Sequence, residues 1–226
     1  MKYLSVLSIL AILFLSNCKN KTAEDEQASP STIEESTEKL DTVLSGNDIT
    51  VLNQLKFSRY AVSQNQPVEW SDFRMVMSSH DDSLHVSAFQ PDSSYYKEYG
   101  RLLKYSPDSS MFIDIDSYNI GFQKNRNGKL VPIEIGPDTE VSLVDVGEKE
   151  KTRLVFLGPG NGIEDAGWID NNSAVLVGYH EKDTTKLKTA IIWRYHIPTK
   201  SFYVYESSDT LMPRRLLNWR RERLRQ

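Results

Sequence analysis

The feature that most constrains this chain is a succession of short apolar runs, each stopped by turn residues. Val141–Val146 and Thr152–Leu157 flank Gly147–Lys151, and Ala190–Tyr195 and Ser201–Glu206 flank Pro198-Thr199-Lys200. Such runs are too short for periodic helices but match strands joined by tight turns. Arg74–Ser78 and Leu84–Phe89 flank His80-Asp81-Asp82-Ser83 and predict a further hairpin. Ala174–Tyr179 is a continuous apolar strand. Met111, Ile113 and Ile115 alternate with Phe112, Asp114 and Asp116, which predicts one apolar face and one solvated face carrying carboxylates. The expectation is a mainly β, antiparallel body over residues 49–206.

The runs repeat. Val141–Val146 with its partner Leu154–Leu157 matches Ala190–Tyr195 with Tyr203–Glu206 at an offset of 49. Each hairpin follows a second kind of segment, Tyr105–Ile113 in one case and Trp168–Leu176 in the other, at an offset of 63. The difference reads as an insertion around residues 123–129. The units span about 100–157 and 163–206. Each opens with an aromatic residue and an Asp/Asn turn, as in Tyr105-Ser106-Pro107-Asp108-Ser109, and closes on a hairpin. This resembles blades of the WD-type and TolB-like β-propellers. Two departures stand out: Ser109 occupies the usual glycine position, and Asp170-Asn171 lacks the proline. Propellers need at least about four blades. The resemblance therefore implies blade-like meander sheets, as a partial propeller or a small sandwich, closed only if several chains associate. The oligomeric state is not set by the sequence.

The N-terminus carries a different signal. Met1-Lys2 is followed by an apolar run from Tyr3 to Ser16 and then by Asn17 and Cys18, the one cysteine of the chain. The run is short of the roughly 20 residues of a membrane span and fits the apolar core of a secretory signal. Leu15, Ser16 and Cys18 resemble the lipobox of bacterial lipoproteins, with Asn17 departing from the small residue usual before the cysteine. The resemblance implies a signal peptide over residues 1–17 and lipid attachment at Cys18. It also implies anchoring in the cell envelope, with the outer membrane the expected site. Lipidated, Cys18 is lost to catalysis, metal binding and disulfides. Residues 18–48 are acidic, rich in Ser and Thr and nearly free of aromatics, which predicts a disordered tether.

No motif commits the chain to an enzyme class. Gly158-Pro159-Gly160-Asn161-Gly162 follows a strand, but Ile163–Trp168 leads into another strand and no Lys-Ser/Thr follows, so it reads as a connection. Asp114-x-Asp116-x-Tyr118-Asn119 fails the calcium-loop template. Glu164 and Asp165 are neighbours and on a strand point to opposite faces. His80, His85, His180 and His196 lack metal-ligand spacing. No metal or other cofactor is expected.

The end of the chain, residues 207–226, predicts a basic helix. Asp209 or Thr210 can cap it, and Pro213 suits its first turn. Arg214, Arg215, Arg220, Arg221, Arg223 and Arg225 oppose a single Glu222, while Leu216, Leu217, Trp219 and Leu224 form an imperfect apolar stripe. Such a helix packs on its own sheet with solvated arginines, engages a protein partner, or lies on a membrane surface. Arg214, Arg215, Trp219, Arg220, Arg221 and Arg223 are the candidate interaction residues. Nucleic acid is not an expected partner in the envelope. The expected function is a lipid-anchored, non-catalytic binding or assembly module. The alternative is an envelope hydrolase or carbohydrate-processing protein built on scattered acids and aromatics.

Overall fold

The structure, a computed structural model, describes residues 42–182, 187–212, 216 and 219–225. The signal segment, Cys18, the tether as far as residue 41, Arg214 and Arg215 lie outside the described residues, as do the side chains of residues 208–211, 221 and 225.

The described residues begin inside the expected tether, at residue 42. Helix α1 (Gly46–Gln54) is launched by a reciprocal capping box. The Ser45 hydroxyl accepts the Asp48 N–H at 3.2 Å, and the Asp48 carboxylate accepts the Ser45 N–H at 2.9 Å. Arg194 closes on the same carboxylate at 3.1 Å. Leu55 is extended and breaks the helix, and α2 (Lys56–Ser63) starts at once. A 3-10 turn follows at Trp70–Asp72. These helices correct the expectation of an all-β body from Ile49.

Two five-stranded antiparallel sheets form the rest. One has the order β1 (Arg74–His80), β12 (Ser201–Leu211), β11 (Lys188–His196), β10 (Ser173–Glu181), β9 (Gly162–Asp170). The other has the order β2 (Val86–Ala88), β8 (Glu150–Leu157), β7 (Thr139–Asp145), β4 (Met111–Asp114), β3 (Lys104–Tyr105). Strand for strand the orders match: a four-stranded meander plus one outer strand from the N-terminal part of the body. Between β4 and β7 the first meander carries an inserted hairpin, β5 (Ile120–Lys124) and β6 (Leu130–Glu134), covering the segment read as an insertion. The predicted hairpin of residues 74–89 does not form. Its two strands part to different sheets, Arg74 pairing with Glu206 and Val86 with Thr152.

The equivalent turns of the two meanders meet. Asp108 accepts the Ser110 N–H at 3.0 Å, and Asp170 accepts the Asn172 N–H at 2.7 Å. The Asn171 side-chain oxygen then accepts the Asp108 N–H at 3.2 Å. Ser109 sits at φ 60°, the left-handed conformation for which glycine is usual.

Burial follows from which faces are covered. On β10, Val175 and Val177 face the helices together with Leu52, Phe57 and Trp70. Ala174 and Leu176 face the second sheet with Ile113, Val141 and Leu143. A strand covered on both sides reads as an unbroken apolar run. The outer face of the second sheet is covered by α3 (Ser93–Tyr99), whose Tyr95 and Tyr99 pack with Phe112 and Val144. The fold is therefore a mainly β sandwich with helices on both outer faces and a short C-terminal helix α4 (Trp219–Arg225); residues 207–211, expected in that helix, instead extend β12 beside β11.

Candidate functional site

The carboxylates expected on a solvated face of β4 are buried instead. Asp114 closes the turn after β4, accepting the Asp116 N–H at 3.0 Å, the Ser117 N–H at 2.9 Å and the Tyr95 hydroxyl at 2.7 Å. Burial, then the adjacent Asp114 charge, holds the Tyr95 phenol well above its usual range. Asp116 is 1 % exposed and is gripped by Arg223 through two bonds of 2.6 and 2.7 Å. That bidentate geometry suits a guanidinium and a carboxylate. Burial pulls the Arg223 pKa down, but the charge and hydrogen bonds of Asp116 outweigh it and the net shift is upward. Arg220 stands 3.7 Å from the same carboxylate and also donates to the Asn119 side chain. Asn119 in turn donates to the Asp138 carbonyl at 2.7 Å.

Strand β9 brings the second pair of acids. Asp165 accepts the Lys104 ammonium at 2.5 Å, its neighbour's Ala166 N–H at 3.0 Å and the Phe57 N–H of α2 at 3.0 Å. It therefore joins β3, β9 and the first turn of α2. Glu164 is also enclosed, and its Oε2 has no hydrogen-bond partner. Burial pushes its carboxyl up to about 7, opposed by the nearby charges of Arg223 and Arg220. The Glu164 carbonyl accepts the Trp219 indole N–H at 3.1 Å.

Of the six candidate interaction residues, three are described, and they turn inward. Trp219 is buried and its ring lies 5.2 Å from that of Tyr60. Arg220 and Arg223 serve Asp116. Leu224 packs with Leu102 and Ile120, and the Leu224 carbonyl accepts a bond of 3.0 Å from Arg101. The expectation of solvated arginines on a docked helix is corrected for these positions: buried acids within reach draw the guanidinium groups in. Arg214 and Arg215 lie outside the described residues, as does the Arg221 side chain.

Beside this cluster lies a recess of about 150 Å³ lined by Lys56, Arg101, Leu102, Lys104 and Arg223. Lys56 and Arg101 are exposed at its mouth, while Arg223 and Lys104 are held from below by Asp116 and Asp165. The sequence offers no signal for this convergence, since the four cations come from α2, the turn after α3, β3 and α4. A second recess of about 250 Å³ holds His85, Tyr118, Glu140, Lys151 and Arg153. Burial raises the Glu140 carboxyl, but Lys151 at 3.0 Å, Ser142 at 2.9 Å and Arg153 at 2.8 Å outweigh it, so its pKa is lowered.

Chemically, the acids of these two regions are committed: Asp116, Asp165 and Glu140 are each held by cations, and Glu164 is enclosed. Among the described residues no group of three or more His, Cys, Asp or Glu side chains is placed to hold a metal ion, and no helix is long and apolar enough to cross a membrane. No protein-family model, curated protein or solved structure matches this chain.

Proposed function

We propose that this chain is a lipid-anchored cell-envelope protein whose β sandwich is a binding or assembly module rather than a catalyst. The observation that carries the reading is the state of the carboxylates gathered under α4 and along β9. A general acid or base must reach a substrate proton, yet Asp116 and Asp165 are locked into ion pairs and Glu164 is shut in. What is left accessible beside them is cationic. The Cys18 lipobox and the acidic stretch behind it supply the anchor and a spacer. Two acyl chains on one cysteine suffice for stable membrane attachment.

The anchor is tested by growing bacteria that express the full chain with a radiolabelled fatty acid. Wild type takes up label and sediments with membranes. Cys18→Ser takes up none and stays unprocessed. Absence of label from the wild type refutes the lipid anchor.

A further inference from the structure

We propose that the recess between Lys56, Arg101, Lys104 and Arg223 binds a small phosphate-type oxyanion, and that its occupancy fastens the C-terminal helix to the body. The inference rests on the reading of the domain as a binding module and names its ligand class.

Charge gives the first argument. Four cations line the recess. Asp165 and Asp116 neutralise Lys104 and Arg223, at 2.5 and 2.6 Å. Lys56 and Arg101 have no ion pair with any described carboxylate, so two positive charges remain at the mouth. A phosphate monoester at neutral pH carries nearly two negative charges.

Geometry gives the second. Arg223 lines the recess from its buried side, with both terminal nitrogens on Asp116. Arg101 spends one bond on the Leu224 carbonyl and keeps its other donors. Donors arriving from four segments suit a tetrahedral group with several acceptor oxygens better than a planar carboxylate with two. The recess of about 150 Å³ takes a phosphate group with a short substituent.

The coupling follows from where the cations sit. Arg223 belongs to α4, and Arg101 binds the carbonyl of its Leu224. An anion shared by Arg223, Arg101 and Lys56 bridges α4 to α2 and to the turn after α3. A ligand that binds only the docked arrangement stabilises it by mass action.

The test uses the full chain carrying Cys18→Ser, so that neither the lipid nor the anchor reading enters. Amide hydrogen exchange is followed over residues 219–225 while inorganic phosphate or glycerol phosphate is titrated against sodium chloride at equal ionic strength. A parallel arm uses phosphatidylglycerol vesicles against phosphatidylcholine vesicles. The expected result is saturable slowing of exchange by phosphate. Lys56→Ala, which removes an exposed side chain outside the buried pairs, weakens it about tenfold, as expected for one charge-assisted hydrogen bond. Lys129→Ala, which removes an exposed cation of the β5–β6 turn that does not line the recess, leaves it unchanged. Slowing only on phosphatidylglycerol, abolished by Lys56→Ala, supports the same site with a lipid headgroup as its source. Equal slowing by chloride, slowing that Lys56→Ala does not weaken, or silence in both arms overturns the proposal and leaves the lipid anchor standing.

Discussion

The pair between Arg223 and Asp116 makes a quantitative claim about what holds the C-terminal helix in place. Arg223→Met keeps most of the side-chain stem and removes the charge, so it isolates the electrostatic part of the contact. Asp116 then stays buried without its bidentate partner. Removing one member of a buried ion pair costs about 3–5 kcal/mol, because the other is left uncompensated. Arg220, 3.7 Å away, supplies part of the missing charge, which places the cost near the lower bound, about 3 kcal/mol. For a domain of this size a urea dependence of about 2 kcal/mol per molar is expected, so the midpoint falls by about 1.5 M. Tryptophan fluorescence reads the transition, since Trp219 is buried against Tyr60. The double variant Asp116→Asn with Arg223→Met removes both charges and recovers at least half of the loss. A shift below about 0.5 M, or a double variant no more stable than Arg223→Met alone, refutes the reasoning.

Two further outcomes are expected. Glu164 has its carboxyl raised from the ordinary 4.5 to about 7 in the folded chain. Its share of stability is therefore fully present below about pH 4.5 and is lost as pH rises through 7, an effect on the order of 3 kcal/mol. Glu164→Gln, compared with wild type in urea at intervals from pH 4.5 to 8, flattens this slope; an unchanged slope assigns it elsewhere. Gly178→Ala sets a Cβ 2.0 Å from the Gly162 carbonyl oxygen across the β9–β10 irregularity, a clash with backbone that no rotamer relieves. It costs about 3 kcal/mol or more by urea denaturation, and a loss under about 0.5 kcal/mol refutes the close approach.

The parts of the fold legible in the sequence are those held by near neighbours. The hairpins β7–β8 and β11–β12 each close over a short turn, so both strands and the break between them lie in one window. The 74–89 segment has the same local pattern, yet β1 and β2 find partners at β12 and β8, far along the chain. Nothing near His80–Ser83 marks that choice. The start of α1 did carry a signal, Ser45 with Asp48 three residues on, but it lies in an acidic stretch whose composition reads as solvated. The site is the least legible part. Alternation along residues 111–116 separates Ile113 and Ile115 from Asp114 and Asp116. It cannot reveal that an arginine 107 residues later comes to cover Asp116. The arginine-rich tail misleads for the same reason: charge alone suggests water until a buried acid is known to be waiting.

The parting of β1 and β2 has a bearing on how this domain assembles. Each meander can zip up locally, hairpin by hairpin, but β8 and β12 then present an open edge. The strands that cover those edges lie together near the start of the body, separated by residues 81–85. Pairing Arg74 with Glu206 closes a loop across most of the domain, an entropic cost met late and slowly. Until it is met, two unprotected strand edges are exposed to pairing with other chains. The short link also denies the two repeats independence. Pulling β1 from one sheet draws on β2 in the other, so halves built alike open together rather than in turn.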